Sequence, residues 1–389
     1  MSRRGRIWQE GRPKGAPALR GAPWYFVVDV ASPGAPRRQV RRRGFPTRES
    51  AQNALDELLS SVRTGAYVEP SRLAFGDYLR VWLDGLATSG RRPTTINGYR
   101  RKVTTYVLKD PLAQVPLQTV TAADLDAFYS RLLSRDGRPL SLTTVRHVHT
   151  ILSRALTDAE RRDLIVRNVA RRATPPSPTA ARSPEARTWT PEQLRTFLHT
   201  AGDHHHGALF RLAAMTGLRR GELCGLRWSD VDIAAGRLLV RRTITAVDRQ
   251  IVEGTVKSAR SRRAVDLDPE TARVLRAHRR RQLEERMLIG VGYTDHDLVF
   301  AAPDGAPWNP DAVGRAFTRA AAHTALPRIR FHDLRHSHAT HLLAAGANPR
   351  LVSERLGHAT VGFTLDVYGH VMPGQQADAA AAVAALVDG

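Results

Sequence analysis

HDLRHSHATHLLAAGANPRLVSERLGHATVGFTLDVYGH, residues 332–370, reads as three helices in succession with a tyrosine at the far end. Over 332–346, His332 and Arg335 lie three residues apart and share a face, while Leu342 and Leu343 mark a buried side. The next helix, 348–358, opens on Asn348 with Pro349 at its first position and ends at Gly357, which leaves His358 just beyond it. The last, 361–368, closes at Gly369 and carries Tyr368 at its tip. Alone, Tyr368 is one tyrosine of eight, and a buried core tyrosine is the plain reading.

Basic patches upstream change that reading. TGLRRGE, VKSARSRR, HDLRH and LGH follow one another at 216–222, 256–263, 332–336 and 356–358. LFRLAAMTG (209–217) has helical spacing and ends at Gly217, a suitable residue just past a helix C-terminus. Arg219 then starts a second helix with Leu223 and Leu226, and Glu222 one turn on can orient it. The bland alternative is a surface ion pair, worth little. LLVRRTITAVD (238–248) and RRAVDLD (262–268) read as strands, with Lys257 on the hairpin before the second, flanked by Ser258 and Ser261. A lone loop lysine is usually just solvated. In a chain whose only lysines are Lys14, Lys102, Lys109 and Lys257, one inside an arginine-rich stretch stands out.

These groups suit attack on a phosphodiester by a side chain. The anion repels nucleophiles, and its transition state gathers charge on the non-bridging oxygens. Arg219 and Arg335 can clamp those oxygens in bidentate fashion. A phenol of pKa ~10 is only about a thousandth ionised at pH 7. Arginine proximity is expected to lower that value, and His332 to take the proton. Lys257 can protonate the leaving oxygen, and His358 can hydrogen-bond the phosphate or the nucleophile. No metal and no cofactor is called for, because the arginines do the work of two Mg²⁺ ions. A zinc helix is the rival, since HDLRH places two histidines at i,i+4. It has Asp for Glu, offers no clear third ligand and gives Arg219, Arg335 and Tyr368 nothing to do.

Composition points the same way. The chain has 389 residues, 59 Lys+Arg against 37 Asp+Glu, and a formal charge of +22, which suggests a polyanionic partner held by salt-sensitive phosphate contacts. Its length predicts two or three domains. No apolar run is long enough to span a membrane, and no apolar stretch follows the charged N-terminus, so neither a membrane partner nor a signal peptide is expected. Cys224 is the only cysteine, which fits a reducing cytoplasm.

The expected fold is multidomain and mainly α. Residues 1–70 form a small α+β unit: strands over 24–30 and 37–45 joined by SPGAP, then a helix over 48–63 capped by Thr47. Arg37, Arg38, Arg41, Arg42 and Arg43 decorate that sheet, either as a solvated edge or as a surface for a DNA groove. Residues 72–172 form an all-helical bundle, with helices over 75–88, 93–108, 121–134 and 141–158. Thr121, Ser141 and, more weakly, Thr94 are their N-cap candidates. Arg100, Arg101 and Lys102 give the bundle positive charge. ATPPSPTAARSPEAR, within 173–188, reads as an extended linker. An α-rich domain with a small β-sheet fills 189–389, ending in an Ala-rich helix over 375–387.

The order Arg219, Lys257, His332, Arg335, His358, Tyr368, within TGLRRGEL, FHDLRHSHATHLL and LGHATVGFTLDVYGHV, resembles the signature of the tyrosine recombinase (phage integrase) family. The match is strong over about 190–372. The resemblance implies a core-binding domain at 72–172 and the arm-binding domain of larger integrases at 1–70. It implies that Tyr368 is the nucleophile, forms a 3′-phosphotyrosyl link and frees a 5′-hydroxyl. Four protomers then exchange strands through a Holliday junction without ATP. Implied partners are double-stranded DNA attachment sites, a homotetramer on DNA, an excisionase and a host DNA-bending protein. The expected role is integration and excision of a phage or integrative plasmid. The alternatives are a Xer-like chromosome or plasmid dimer resolvase, an invertase, a type IB topoisomerase and a non-catalytic DNA-binding regulator. The last would show a broken catalytic set.

Overall fold

The computed structural model describes residues 5–14, 16–31, 37–65, 67–135, 137–181, 187–247, 250–255, 262–358, 360–369 and 375–388. Contacts divide the chain into two compact units, Met1–Ser183 and Pro184–Gly389. The turn predicted at SPGAP, the middle of the predicted linker, and Lys257 with Ser258 and Ser261 lie outside the described residues.

In the first unit, β1 (Arg6–Gln9), β2 (Trp24–Asp29) and β3 (Gln39–Phe45) form an antiparallel sheet in that order. β2 turns Phe26 and Val28 inward, as period-two alternation requires. Across that face lies α1 (Arg48–Arg63), burying Ala51, Leu55 and Leu58. Thr47 caps it as expected, in a reciprocal pair with Ser50. β1 was not expected, because four residues are too short a run to show alternation.

A second buried cluster in this unit is built by α2 (Phe75–Gly85), α3 (Pro93–Lys102), α4 (Ala122–Leu133) and α5 (Leu142–Arg161). Thr121 and Ser141 cap α4 and α5 as predicted. Thr94 does not cap α3: Pro93, with its pre-set φ, takes the first helical position and makes Arg92 the cap. The helix expected over 93–108 keeps α geometry only to Lys102, then widens into a π-turn, Val103–Val107, that buries both valines. α5 runs three residues past its expected end, where the Trp82 indole N–H donates to Asp158 at 2.8 Å and holds the last turn.

The second unit is mainly helical: α6 (Pro191–Thr200), α7 (Gly207–Thr216), α8 (Arg220–Cys224), α9 (Pro269–Ile289), α10 (Pro310–Ala322), α11 (Asp333–Ala344), α12 (Pro349–Leu356), α13 (Val361–Tyr368) and α14 (Gln375–Asp388). One sheet joins β4 (Val231–Asp232), β5 (Arg237–Val240) and β8 (Arg263–Asp266), and β6 (Arg242–Val247) pairs with β7 (Gln250–Thr255) as a hairpin. The single strand expected over 238–248 is therefore two, in different sheets. The break falls at Arg241 and Arg242, which both reach the buried Asp230 carboxylate, at 3.2 and 2.5 Å. Holding two consecutive side chains on one carboxylate defeats the alternation a straight strand would impose.

The core of this unit centres on Trp189, Phe197, Phe210 and Phe317, with ring centroids of 5.0 Å for Trp189–Phe197 and 5.2 Å for Phe197–Phe317. The Trp189 backbone N–H donates to the buried Ser337 hydroxyl at 3.0 Å, which fixes α11 against this core. α11 packs on α7 and α12 and carries Arg335, with His332 at its N-cap.

Candidate active site

Glu222 is the anchor. It is 3 % exposed and accepts from three groups. Arg219 donates its backbone N–H to Oε2 and its Nη1 to Oε1, both at 2.9 Å. Arg263, on β8, adds Nη2 to Oε2 at 2.9 Å and Nη1 to Oε1 at 3.2 Å. Burial pushes the Glu222 carboxyl up, but the hydrogen bond from Arg263 and the charges of Arg263 and Arg219 outweigh it and hold it below the usual range. The pair anticipated between Arg219 and Glu222 is thus not a surface contact, since burial and a second arginine convert it into a fixed network. Arg263 was not among the predicted residues. Its place beside Lys257 in the arginine-rich stretch was the only hint.

Removing the Glu222 charge takes from the buried Arg263 a carboxylate that it meets through two hydrogen bonds. Breaking a buried pair costs about 3–5 kcal/mol. Glu222→Gln is therefore expected to lower the melting temperature sharply at neutral pH. Because the folded-state pKa is depressed, the stability from this carboxylate is fully present above about 4.5 and is lost as pH falls below it. Calorimetry should show the gap between wild type and Glu222→Gln closing on acidification. A constant gap would mean that the charge contributes nothing.

Two glycines let the arginines in. Gly217 ends α7 at φ +64° and Gly357 ends α12 at φ +67°, a region that costs any other residue strain. A Cβ on Gly217 would sit 2.5 Å from Leu356 and 2.9 Å from His338. Both glycine carbonyls are used: Arg335 Nη1 donates to Gly217 at 2.7 Å and Arg219 Nη2 to Gly357 at 2.8 Å. Arg263 Nε donates to the Arg355 carbonyl at 2.6 Å, so two guanidiniums hold the C-terminal end of α12, where the helix dipole is negative.

Arg335 is 4 % exposed, and among the described residues its Nη2 has no hydrogen-bond partner. Burial, then the like charge of Arg219, pushes its pKa down to about 9. A buried guanidinium with an open donor next to a second guanidinium is arranged for an anion with several oxygens. His358, 8 % exposed, follows Gly357, shares Nδ1 with the Thr364 hydroxyl at 2.8 Å and sits edge-on to Phe363. Burial, then Arg335 and Arg219, pushes it down to about 3, so it is neutral at pH 7.

Tyr368 ends α13 and packs among Ala339, Leu343, Val352 and Leu356. Two expectations about it need correction. Its pKa is not lowered: burial raises it to about 12, overriding the nearby Arg335. Its hydroxyl bonds His336 Nδ1, at 2.6 Å, and not His332. His336 lies one helical turn along from His332, so the imidazole that meets the phenol in this structure is not the one that spacing selected. His332 is the N-cap of α11, exposed at its outer side, with its ring edge-on to His336 at 5.2 Å. The atoms packed around it, then His336 and Arg335, push it down to about 4, and the solvent on its open side tempers that shift.

The structure thus gathers Arg219, Glu222, Arg335, His358 and Tyr368 around the ends of α7, α12 and α13, with His332 at the head of α11. Lys257 lies outside the described residues. Among the described residues, no group of three or more His, Cys, Asp or Glu gathers as a metal-ligand set. Of the residues expected to face DNA, Arg37, Arg38, Arg41, Arg42 and Arg43 are all exposed. Arg37 pairs with Asp29, Arg38 with Glu69 and Arg43 with Glu10, and Arg41 lies over the Tyr25 ring at 4.4 Å. Arg100 pairs with Asp84 at 2.9 Å beside exposed Arg101, and burial followed by Arg101 lowers the pKa of half-buried Lys102.

Known proteins resemble the chain along most of its length. Residues 187–374 match the model of the phage integrase family. A XerC-like tyrosine recombinase of Caldanaerobacter subterraneus subsp. tengcongensis is 27% identical over 372 residues, covering 91% of this chain and 94% of its own length. The ICEBs1 integrase of Bacillus subtilis is 26% identical over 365 residues, covering 91% and 95%. In fold, the chain is similar to the Tn1549 transposon integrase in complex with transposon right end DNA, with a TM-score of 0.64 at 20% identity, covering 80% of this chain and 99% of that one. It is also similar to a lambda integrase tetramer bound to a Holliday junction, with a TM-score of 0.56 at 18% identity, covering 89% and 93%.

Proposed function

Because the chain belongs to the phage integrase family of tyrosine recombinases, and is a site-specific recombinase that cleaves and rejoins DNA, we propose that it integrates and excises a phage or integrative plasmid by metal-independent transesterification at Tyr368. The observation that carries this reading is the buried Arg335 guanidinium, beside Arg219, whose Nη2 has no hydrogen-bond partner among the described residues. Such a site is unfavourable when empty of anions and favourable around a phosphate, whose charge rises as the transition state forms. Tyr368 attacks the phosphorus and becomes 3′-phosphotyrosyl, and the 5′-oxygen leaves with a proton from Lys257. His358, neutral at pH 7, donates to a phosphate oxygen. The bond energy is kept in the phosphotyrosine, and the 5′-hydroxyl of a partner duplex attacks it in turn.

The protein works in the cytoplasm as a homotetramer on attachment-site DNA, through a Holliday junction, with an excisionase and a host DNA-bending protein setting direction. In α14, Val383, Leu386 and Val387 are 61%, 85% and 77% exposed, which supports a helix that packs on a neighbouring protomer. A Xer-like dimer resolvase is the alternative, and the basic sheet near the N-terminus favours the integrase.

Residues 1–70 bind arm-type sites, 72–172 clamp the core site, 173–188 link, and 189–389 catalyse. Two separate buried clusters within the first unit support the first two of these divisions. A chain lacking residues 1–70 is expected to hold a core site recovered from DNA flanking the gene, and to lose binding to the outlying arm sites. Footprinting checks this, and arm protection that survives the deletion would refute the assignment.

A further inference from the structure

We propose that His336 is the residue that takes the proton from the Tyr368 hydroxyl during cleavage and returns it during rejoining. The proposal rests on Tyr368 being the nucleophile. His336 Nδ1 and the phenol oxygen are 2.6 Å apart, well inside the reach required of a general base. For the phenol to donate, Nδ1 must carry the lone pair and the ring proton must sit on Nε2, the tautomer that a general base at Nδ1 requires. α11 fixes the imidazole from one side and α13 presents the phenol from the other. Tyr368 is 3 % exposed, which leaves water little access to serve as an alternative acceptor.

The surroundings keep His336 neutral. On α11 and the segment before it, it faces His332, Asp333, Arg330 and Arg335, and on α13 it faces Tyr368. Asp333 is engaged by Arg330 through three hydrogen bonds of 2.7 to 3.0 Å, so its charge is largely compensated. Burial, followed by the opposed effects of Asp333 and of Arg330 and Arg335, leaves the imidazole below its ordinary pKa. A base is needed here because burial has made the phenol harder to ionise: at pKa about 12, only about one molecule in 10⁵ is phenolate at pH 7.

The step balances. The Tyr368 oxygen bonds to phosphorus as its proton passes to His336 Nδ1. The P–O5′ bond breaks, its electron pair leaves with the 5′-oxygen, and that oxygen takes a proton from Lys257. In rejoining, the 5′-hydroxyl returns its proton to the lysine, and the departing phenolate recovers the one on His336.

The test is single-turnover adduct formation by the full chain on a nicked suicide substrate, using His336→Asn and His336→Gln. Both variants should bind DNA and melt as wild type does, yet cleave about 10²–10⁴-fold more slowly. The deficit should shrink as pH rises, because hydroxide then ionises the phenol directly. A substrate with sulfur at the 5′ bridging position should rescue Lys257→Ala but not His336→Asn, since sulfur needs no acid to leave. Wild-type rates in both His336 variants, or sulfur rescue of His336→Asn, would overturn the assignment. His332→Asn serves as the rival arm, and a loss confined to it would return the role to His332. If Tyr368→Phe still formed an adduct, the nucleophile assignment itself would fall, and this proposal with it.

Discussion

Tyr368→Phe is expected to bind its DNA site with wild-type affinity and to form no covalent adduct. The substitution removes one oxygen from a buried ring. The ring still packs on Ala339, Leu343, Val352 and Leu356, so the cost to folding is the His336 hydrogen bond, about 1 kcal/mol. What is lost is the phenol oxygen proposed as the nucleophile, without which no phosphotyrosyl link can form. The measurement is a denaturing gel of labelled suicide substrate after incubation with each protein. A slower-migrating, protease-sensitive band with Tyr368→Phe would place the nucleophile elsewhere.

Substitution of Arg335 should separate stability from activity. Arg335→Lys keeps the charge and loses the fork that lets Nη1 hold the Gly217 carbonyl while Nη2 points away from that bond, toward the phosphate contact proposed for it. Removing one preorganised donor from such a site costs about 10²–10³ in rate. Single-turnover cleavage should fall by that factor in the lysine variant and further in Arg335→Met, with DNA binding little changed. The free protein should respond in the opposite sense. The folded-state pKa of Arg335 is depressed, so its charge opposes folding, and this penalty is fully present below about pH 9 and is relieved only above it. Arg335→Met removes the penalty, at the cost of one hydrogen bond to Gly217, and should melt no lower than wild type at pH 7. A large drop in melting temperature would show that Arg335 supports the fold instead of being held in the site at the fold's expense.

Much of the second unit was legible because its signals are local. Gly217 and Gly357 stop helices through their own backbone freedom, and Asn348 with Pro349 starts one. Hence α7, α11, α12 and α13 fall where spacing and caps put them. Elements that depend on distant partners were not legible. Strand 238–248 breaks because Asp230 draws two arginines, and β7 is exposed along its whole length, so neither carries a periodic signal. The first unit divides the same way: the caps Thr47, Thr121 and Ser141 were readable, while the π-turn at Val103–Val107 was not.

For Tyr368, the sequence by itself determined the kind of chemistry: two arginines, two histidines and a phenol in a fixed order, each on an element whose ends are marked by glycine, proline or asparagine. The tertiary structure alone decided which imidazole meets the phenol and what the phenol's acidity is. His332 and His336 are equivalent by residue type and differ by one helical turn, and only the packing of α13 against α11 brings one of them to 2.6 Å. The same packing buries the hydroxyl, and desolvation then outweighs the arginine that spacing alone had expected to win.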